Sequence, residues 1–192
     1  MAGNWDVGGF PGAYGDGDFV TFRDGASHPD ITIAVGGVAP GSVLISNTAT
    51  AYRFSGGSLG GAGPLVKQGA GPATLGAGNS YGGLTLVKAG TLIITAPNAL
   101  GATSSGTVVS NGAALAFQGG VNYSSAEPVT LAGNGDGGGA LYAVSGNNRF
   151  SGPITLAAAA TISCARGELA LAGINSPGFG LTCDAAGPLA VN

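Results

Sequence analysis

Ala89-Gly90-Thr91-Leu92 opens a beat that returns as Asn111-Gly112-Ala113-Ala114-Leu115, Gly139-Ala140-Leu141, Gly167-Glu168-Leu169 and Gly187-Pro188-Leu189. An earlier Gly71-Pro72 precedes the first of these by a similar interval. A short strand that restarts after a glycine turn at such regular intervals, about 20–30 residues, is the sequence mark of a solenoid. In such a chain each coil buries its apolar side against the next coil, and the product is a long surface suited to reaching and binding.

Outward from that beat, strand signals are frequent and short. Ile31-Thr32-Ile33-Ala34-Val35, Val43-Leu44-Ile45, Leu84-Thr85-Leu86-Val87, Leu92-Ile93-Ile94, Thr107-Val108-Val109, Val129-Thr130-Leu131 and Ile154-Thr155-Leu156 are each bounded by Gly, Pro, Asn or Ser. Helical spacing is sustained nowhere, because Gly or Pro interrupts almost every window. A β-sandwich would also use many short strands, but without self-similarity. The repeats favour an all-β solenoid of about seven or eight coils, with 1–192 as one domain, 1–60 as leading coils and 61–192 as repeat coils.

Composition agrees. Of 192 residues 39 are glycine and only 8% are charged, while 44% are apolar. Disorder needs the opposite balance, and collagen needs glycine at every third position. The net charge is −3, and the six basic residues are scattered from Arg23 to Arg166, which argues against a nucleic-acid partner. No apolar run is long enough for a membrane-spanning helix, so membrane insertion by this segment is not expected. The opening Met1-Ala2-Gly3-Asn4-Trp5-Asp6 lacks the basic start and apolar core of a signal peptide, which is expected of a chain whose signal has been removed or, the favoured reading, of a piece of something longer.

Two stretches overlay without a gap: Leu65-Val66-Lys67-Gln68-Gly69-Ala70-Gly71-Pro72-Ala73-Thr74-Leu75 on Leu181-Thr182-Cys183-Asp184-Ala185-Ala186-Gly187-Pro188-Leu189-Ala190-Val191. Asn79-Ser80-Tyr81-Gly82-Gly83 likewise matches Asn148-Arg149-Phe150-Ser151-Gly152. Asn at one corner of each coil is expected to ladder with its neighbours and the aromatic to stack on its equivalent.

From Leu65 through Lys67, Gly69, Gly71, Asn79, Tyr81, Gly83 and Thr85 to Gly90-Thr91-Leu92 the pattern resembles the autotransporter-associated β-strand repeat. The resemblance implies a right-handed parallel β-helix in the exported passenger region of a bacterial surface protein, extracellular or at the cell surface. Cys183-Asp184 departs from the family pattern, which has Lys-Thr there.

Few residues invite chemistry. Cys164 and Cys183 each follow a short strand ahead of a glycine turn, and coils spaced about 4.8 Å apart allow a rung-to-rung disulfide; two small apolar thiols are the alternative. Two Cys and one distant His offer no metal site. His28, the only histidine, sits in a turn-like stretch with Asp16 and Asp18 upstream, but without a nucleophile elbow. Asp16-Gly17-Asp18 and Asn134-Gly135-Asp136-Gly137 complete no calcium motif and read as turns. Glu127, before Pro128, and Glu168 read as surface positions, so the paired acids of a sugar-cleaving enzyme are not evident. Trp5, Tyr14, Tyr123 and Tyr142 lie beside Gly-rich or polar turns and are the candidate exposed platforms for a glycan. The expectation is therefore a non-catalytic structural or adhesive module without cofactor, with a glycan or a host or neighbouring-cell surface ligand as candidate partner. A polysaccharide-binding module is the alternative, and a polysaccharide-active enzyme ranks below it. Open coil ends leave head-to-tail self-association as a further expectation.

Overall fold

In a computed structural model the chain is an all-β solenoid of about eight turns; residues 14–191 are described in full, together with the backbone of a leading hairpin. That hairpin pairs β1 (Trp5–Val7) antiparallel with β2 (Phe10–Gly12). Every ladder after it is parallel.

Each coil visits a first face and then a second. The first face stacks β3 (Phe19–Arg23), β5 (Ser42–Ser46), β7 (Leu65–Gln68), β9 (Thr85–Val87), β11 (Thr107–Val109), β14 (Val129–Gly133), the start of β17 (Ile154–Cys164) and β19 (Ile174–Asn175). The second stacks β4 (Asp30–Ile33), β6 (Tyr52–Gly56), β8 (Ala73–Leu75), β10 (Gly90–Ile94), β12 (Ala113–Gln118), β15 (Leu141–Ser145), the end of β17 and β20 (Leu181–Ala185). A third face forms only in the later coils, from β13 (Asn122–Tyr123), β16 (Asn147–Phe150), β18 (Glu168–Leu171) and β21 (Leu189–Val191).

Alternation along each strand sends every second side chain inward, and the parallel register stacks those side chains in columns. One column of the first face runs Val20, Val43, Leu65, Thr85, Thr107, Val129, Ile154 and Ile174. On the second face Tyr52, Ala73, Leu92, Leu115, Leu141, Ile162 and Cys183 follow one another. Leu75, Leu92, Ile94, Leu115 and Leu131 have no solvent exposure. Fully burying a side chain of this size contributes about 1.5–3 kcal/mol, so the stacked columns hold the glycine-rich chain together coil by coil. Aromatic clusters fill the two wider stretches. Phe22 meets Phe54 edge-on at 4.9 Å near the start, and Tyr123 meets Phe150 at 5.3 Å further along.

Glycine is required where coils turn in contact. A Cβ on Gly90 (φ 64°) would lie 2.6 Å from the Gly69 carbonyl oxygen. Gly146, Gly167 and Gly187 stack at the corner before the third face, where a Cβ on Gly167 (φ 83°) would lie 2.3 Å from the Gly146 carbonyl oxygen. Any L side chain is strained there on both counts.

The structure corrects the gap-free overlay of 65–75 on 181–191. Leu65 lies on the first face and Leu181 on the second, while Leu75 lies on the second and Leu189 on the third. The same offset splits the glycine beat. Leu92, Leu115 and Leu141 share one column, but Leu169 and Leu189 pair on the third face. Coil length counts residues, not faces, so the interval from Gly139 to Gly167 is one coil plus a face.

Candidate functional site

The segment between β7 and β10 shows how the repeat residues act. Lys67 points inward between Ile45 below and Val87 above, with no solvent exposure. Its ammonium donates to the carbonyls of Gly69 at 2.6 Å and Ala89 at 3.2 Å, tying together the corners of two successive coils. Burial pulls its pKa down to about 8, against a partial opposing pull from Asp136 and Asp24. Asn79 bridges three coils: its Oδ1 accepts from the Leu59 N–H at 2.8 Å and its Nδ2 donates to the Ala99 carbonyl at 2.7 Å. The amides therefore ladder through backbone groups, not through one another. Asn148 joins only two coils at a different corner, accepting from the Val121 N–H of the preceding coil at 2.9 Å and donating to the carbonyl of Gly146 in its own turn at 2.8 Å.

Beneath the third side lies a buried polar cluster. Tyr81 and Thr85 share a hydroxyl hydrogen bond of 2.6 Å, and Thr85 sits in the same column as Thr107. The Tyr123 hydroxyl accepts from the Leu100 N–H at 3.2 Å. Thr107 donates to Oε1 of Glu127 at 2.8 Å, while Oε2 has no hydrogen-bond partner. Glu127 is fully buried, a correction to the surface position expected for it. The reason is strand alternation: Val129 and Leu131 point inward, so Glu127, two residues earlier, points inward as well, with Pro128 on the outside. Burial pushes its carboxyl up to about 7, and burial likewise raises the Tyr81 and Tyr123 phenols.

On the outer surface, residues 134–140 between β14 and β15 fold back over the second face as a glycine-rich strap. Thr161 donates to Asn134 Oδ1 at 3.0 Å, Thr91 donates to the Asp136 carboxylate, and Ser163 donates to the Gly138 carbonyl. The Tyr142 ring lies against Gly138. This cover accounts for Thr91, Ala114 and Ala116, which point outward and yet are buried.

The candidate platforms do not form an aligned array. Tyr123 is buried, a correction with the same origin as Glu127: it faces the interior on β13 and packs on Phe117 and Phe150. Tyr142 is half-buried under the strap. Tyr14 is half-buried and donates its hydroxyl to Asp16 at 2.8 Å, which, after burial, helps push its phenol up to about 12. The Trp5 side chain lies outside the described residues.

Cys164 and Cys183 are free, which corrects the expected disulfide. Cys183 pairs with Ile162 and Cys164 with Ala185. Two residues of offset along a strand and one strand spacing across put the two cysteines about 8 Å apart, beyond a disulfide's reach. Cys164 is buried and Cys183 exposed.

The turn acids bind backbone. Asp16 accepts from the Ala39 N–H at 2.8 Å and Asp18 from the Gly15 N–H at 2.8 Å. Asp24, which no sequence motif singles out, accepts from the N–H groups of Thr48, Ala49 and Thr50, and these hold its carboxyl down at about 2. His28 is exposed. Among the described residues no three His, Cys, Asp or Glu side chains gather in a way that could hold a metal ion, and no helix is long and apolar enough to cross a membrane.

Among curated proteins and among solved structures nothing matches the chain. Residues 65–94 match the family model described as passenger-associated-transport-repeat. They span β7, β8, β9 and β10, and contain Lys67, Asn79, Tyr81 and Gly90. This stretch of the solenoid is therefore a passenger-associated-transport-repeat, the autotransporter passenger repeat that the pattern from Leu65 to Leu92 resembles.

Proposed function

We propose that this chain is a non-catalytic structural module of an exported bacterial protein, a spacer and adhesive scaffold in a passenger region outside the cell. One observation carries the reading: the ladder is unbroken from β3 to β20, and the functional groups of the repeat are used in stacking one coil on another. Lys67, Asn79 and Gly90 join coils. The turn acids Asp16 and Asp24 hold backbone at the surface. An outer surface of small uncharged residues suits a part that keeps its shape and leaves recognition to what it displays.

The test is a pull-down of the purified chain against soluble and insoluble polysaccharides, with reducing ends scored in the same tubes. The scaffold reading expects neither retention nor release. Retention without release would replace it with a glycan-binding module, and release of reducing ends would replace it with an enzyme.

A further inference from the structure

We infer that the outer side of the first face is a docking surface for a second copy of this chain, laid alongside with its coils running the opposite way. A sheet with one side on the core ordinarily turns polar residues to the other. Here alternation sends Leu44, Val66, Leu86 and Val108 outward on β5, β7, β9 and β11, and the register stacks them in one column. Thr21 on β3 and Thr130 on β14 close that column at either end. The second face has its outward Thr91, Ala114 and Ala116 buried beneath the strap, whereas no side chain of this column is buried. The four aliphatic strands lie within the stack and are hydrogen-bonded on both sides, so the openness of their outer side owes nothing to the ends of the chain. Contiguous apolar side chains open to solvent mark an interaction site.

The order of the column selects the occupant. It reads Thr-Leu-Val-Leu-Val-Thr from Thr21 to Thr130. Reversed about a two-fold axis between Val66 and Leu86, it sets every Leu on a Val of the other copy and Thr on Thr, the self-complementarity an isologous interface requires. Leu44 then meets Val108, and Val66 meets Leu86. Because this axis runs along the strands, the positions two residues further on match as well. Lys88 meets Gln68, Ser46 meets Ser110 and Arg23 meets Ala132, so no like charges face each other. A two-fold along the coil axis would instead set Leu on Leu and press the Lys88 ammonium onto Leu84, which is unfavourable. The column holds no aromatic ring on which a sugar could stack. Three outward positions on each strand from β3 to β14, at about 6.7 Å along and about 4.8 Å across, make a face of about 600 Å² per copy. Two such faces cover about 1,200 Å², which reaches the size of a specific interface.

Sedimentation equilibrium across a concentration series tests this. The wild-type chain is expected to give a single dimer species. Leu44→Lys with Val108→Lys sets like charges across the interface and should weaken the dimer by about tenfold or more. Within one copy the two positions lie three coils apart, about 14 Å, beyond the reach of surface charges in about 0.1 M salt. Leu44→Lys with Val108→Glu sets opposite charges across the interface and should restore the dimer. The alternative two-fold would set Lys on Lys and Glu on Glu, and would leave that variant monomeric. Circular dichroism of both variants separates lost pairing from lost folding. Leu44→Thr with Val108→Thr keeps side chains that suit a strand and should also weaken the dimer, so the test stands even where the Lys/Lys chain does not fold. A wild type monomeric at every concentration, an open-ended series of oligomers, a Lys/Glu variant as monomeric as the Lys/Lys variant, or a Thr/Thr variant as dimeric as the wild type would each overturn the inference.

Discussion

Replacing Glu127 with Gln removes a charge from the interior while keeping the shape of the side chain. In the folded chain the carboxyl is raised from 4.5 to about 7, chiefly by burial, with the Thr107 hydroxyl pulling partly the other way. A group whose folded pKa lies above its unfolded value contributes stability that is fully present below the unfolded pKa. That contribution is lost as pH rises through the folded pKa. The window is therefore about pH 4.5 to 7. The full shift corresponds to about 3 kcal/mol, and the polarisability of the hydrogen-bonded surroundings brings it to about 1–2 kcal/mol. The assay is the thermal midpoint of both proteins at pH 5 and pH 8, compared as a difference of differences so that Lys67 and the turn acids cancel. At this chain length about 1 kcal/mol moves the midpoint by about 2–4 °C. The wild type should lose about 2–8 °C more than Glu127→Gln on going from pH 5 to pH 8. Equal losses in the two proteins would refute the reasoning, because the carboxyl would then be solvated or paired.

Lys67 carries the opposite sign. Its folded pKa is depressed to about 8, so its contribution is present above the unfolded value and is lost as pH falls through about 8. The wild type should gain stability between pH 8 and pH 10.5, and Lys67→Met should lack that gain in the same melts. Gly167→Ala places a methyl against the Gly146 carbonyl at a left-handed backbone angle, and should cost more than about 1 kcal/mol in chemical denaturation. A thiol reagent should titrate Cys183 alone in the native chain and both cysteines after denaturation without reductant. Finding no thiols in the denatured, unreduced chain would contradict the register.

The stack itself is legible in the sequence. Glycine before an apolar strand, at about one coil's spacing, finds Leu92, Leu115 and Leu141, which form one column. The same beat fails at Leu169 and Leu189 because the glycine there precedes a strand of the third face instead of the second, and spacing alone cannot tell a longer coil from a change of face. The cysteines mislead for a related reason. The residue one coil before Cys183 is Ile162, not Cys164, and similar strand endings conceal this slip of two positions. Glu127 escapes notice because an acid next to a Pro reads as a turn, although the alternation through Val129 and Leu131 places it inside. The bridging of coils by Lys67 has no sequence signal beyond its place in the repeat, since a buried ammonium held by carbonyls looks like any surface lysine until the turns around it are known.

The central claim is a rigid stack in which distance grows by one strand spacing per coil. Thr21, Leu44, Val66, Leu86, Val108, Thr130 and Thr155 form a single outward column on the first face. Spin labels on Thr21→Cys with Val108→Cys, and on Thr21→Cys with Thr155→Cys, in a chain whose own cysteines are replaced by Ser, measure it directly. At about 4.8 Å per coil, four and six steps predict backbone separations of about 19 and 29 Å with narrow distributions. Separations that do not scale with the number of coils, or broad distributions at the longer pair, would contradict the solenoid and the spacer role built on it.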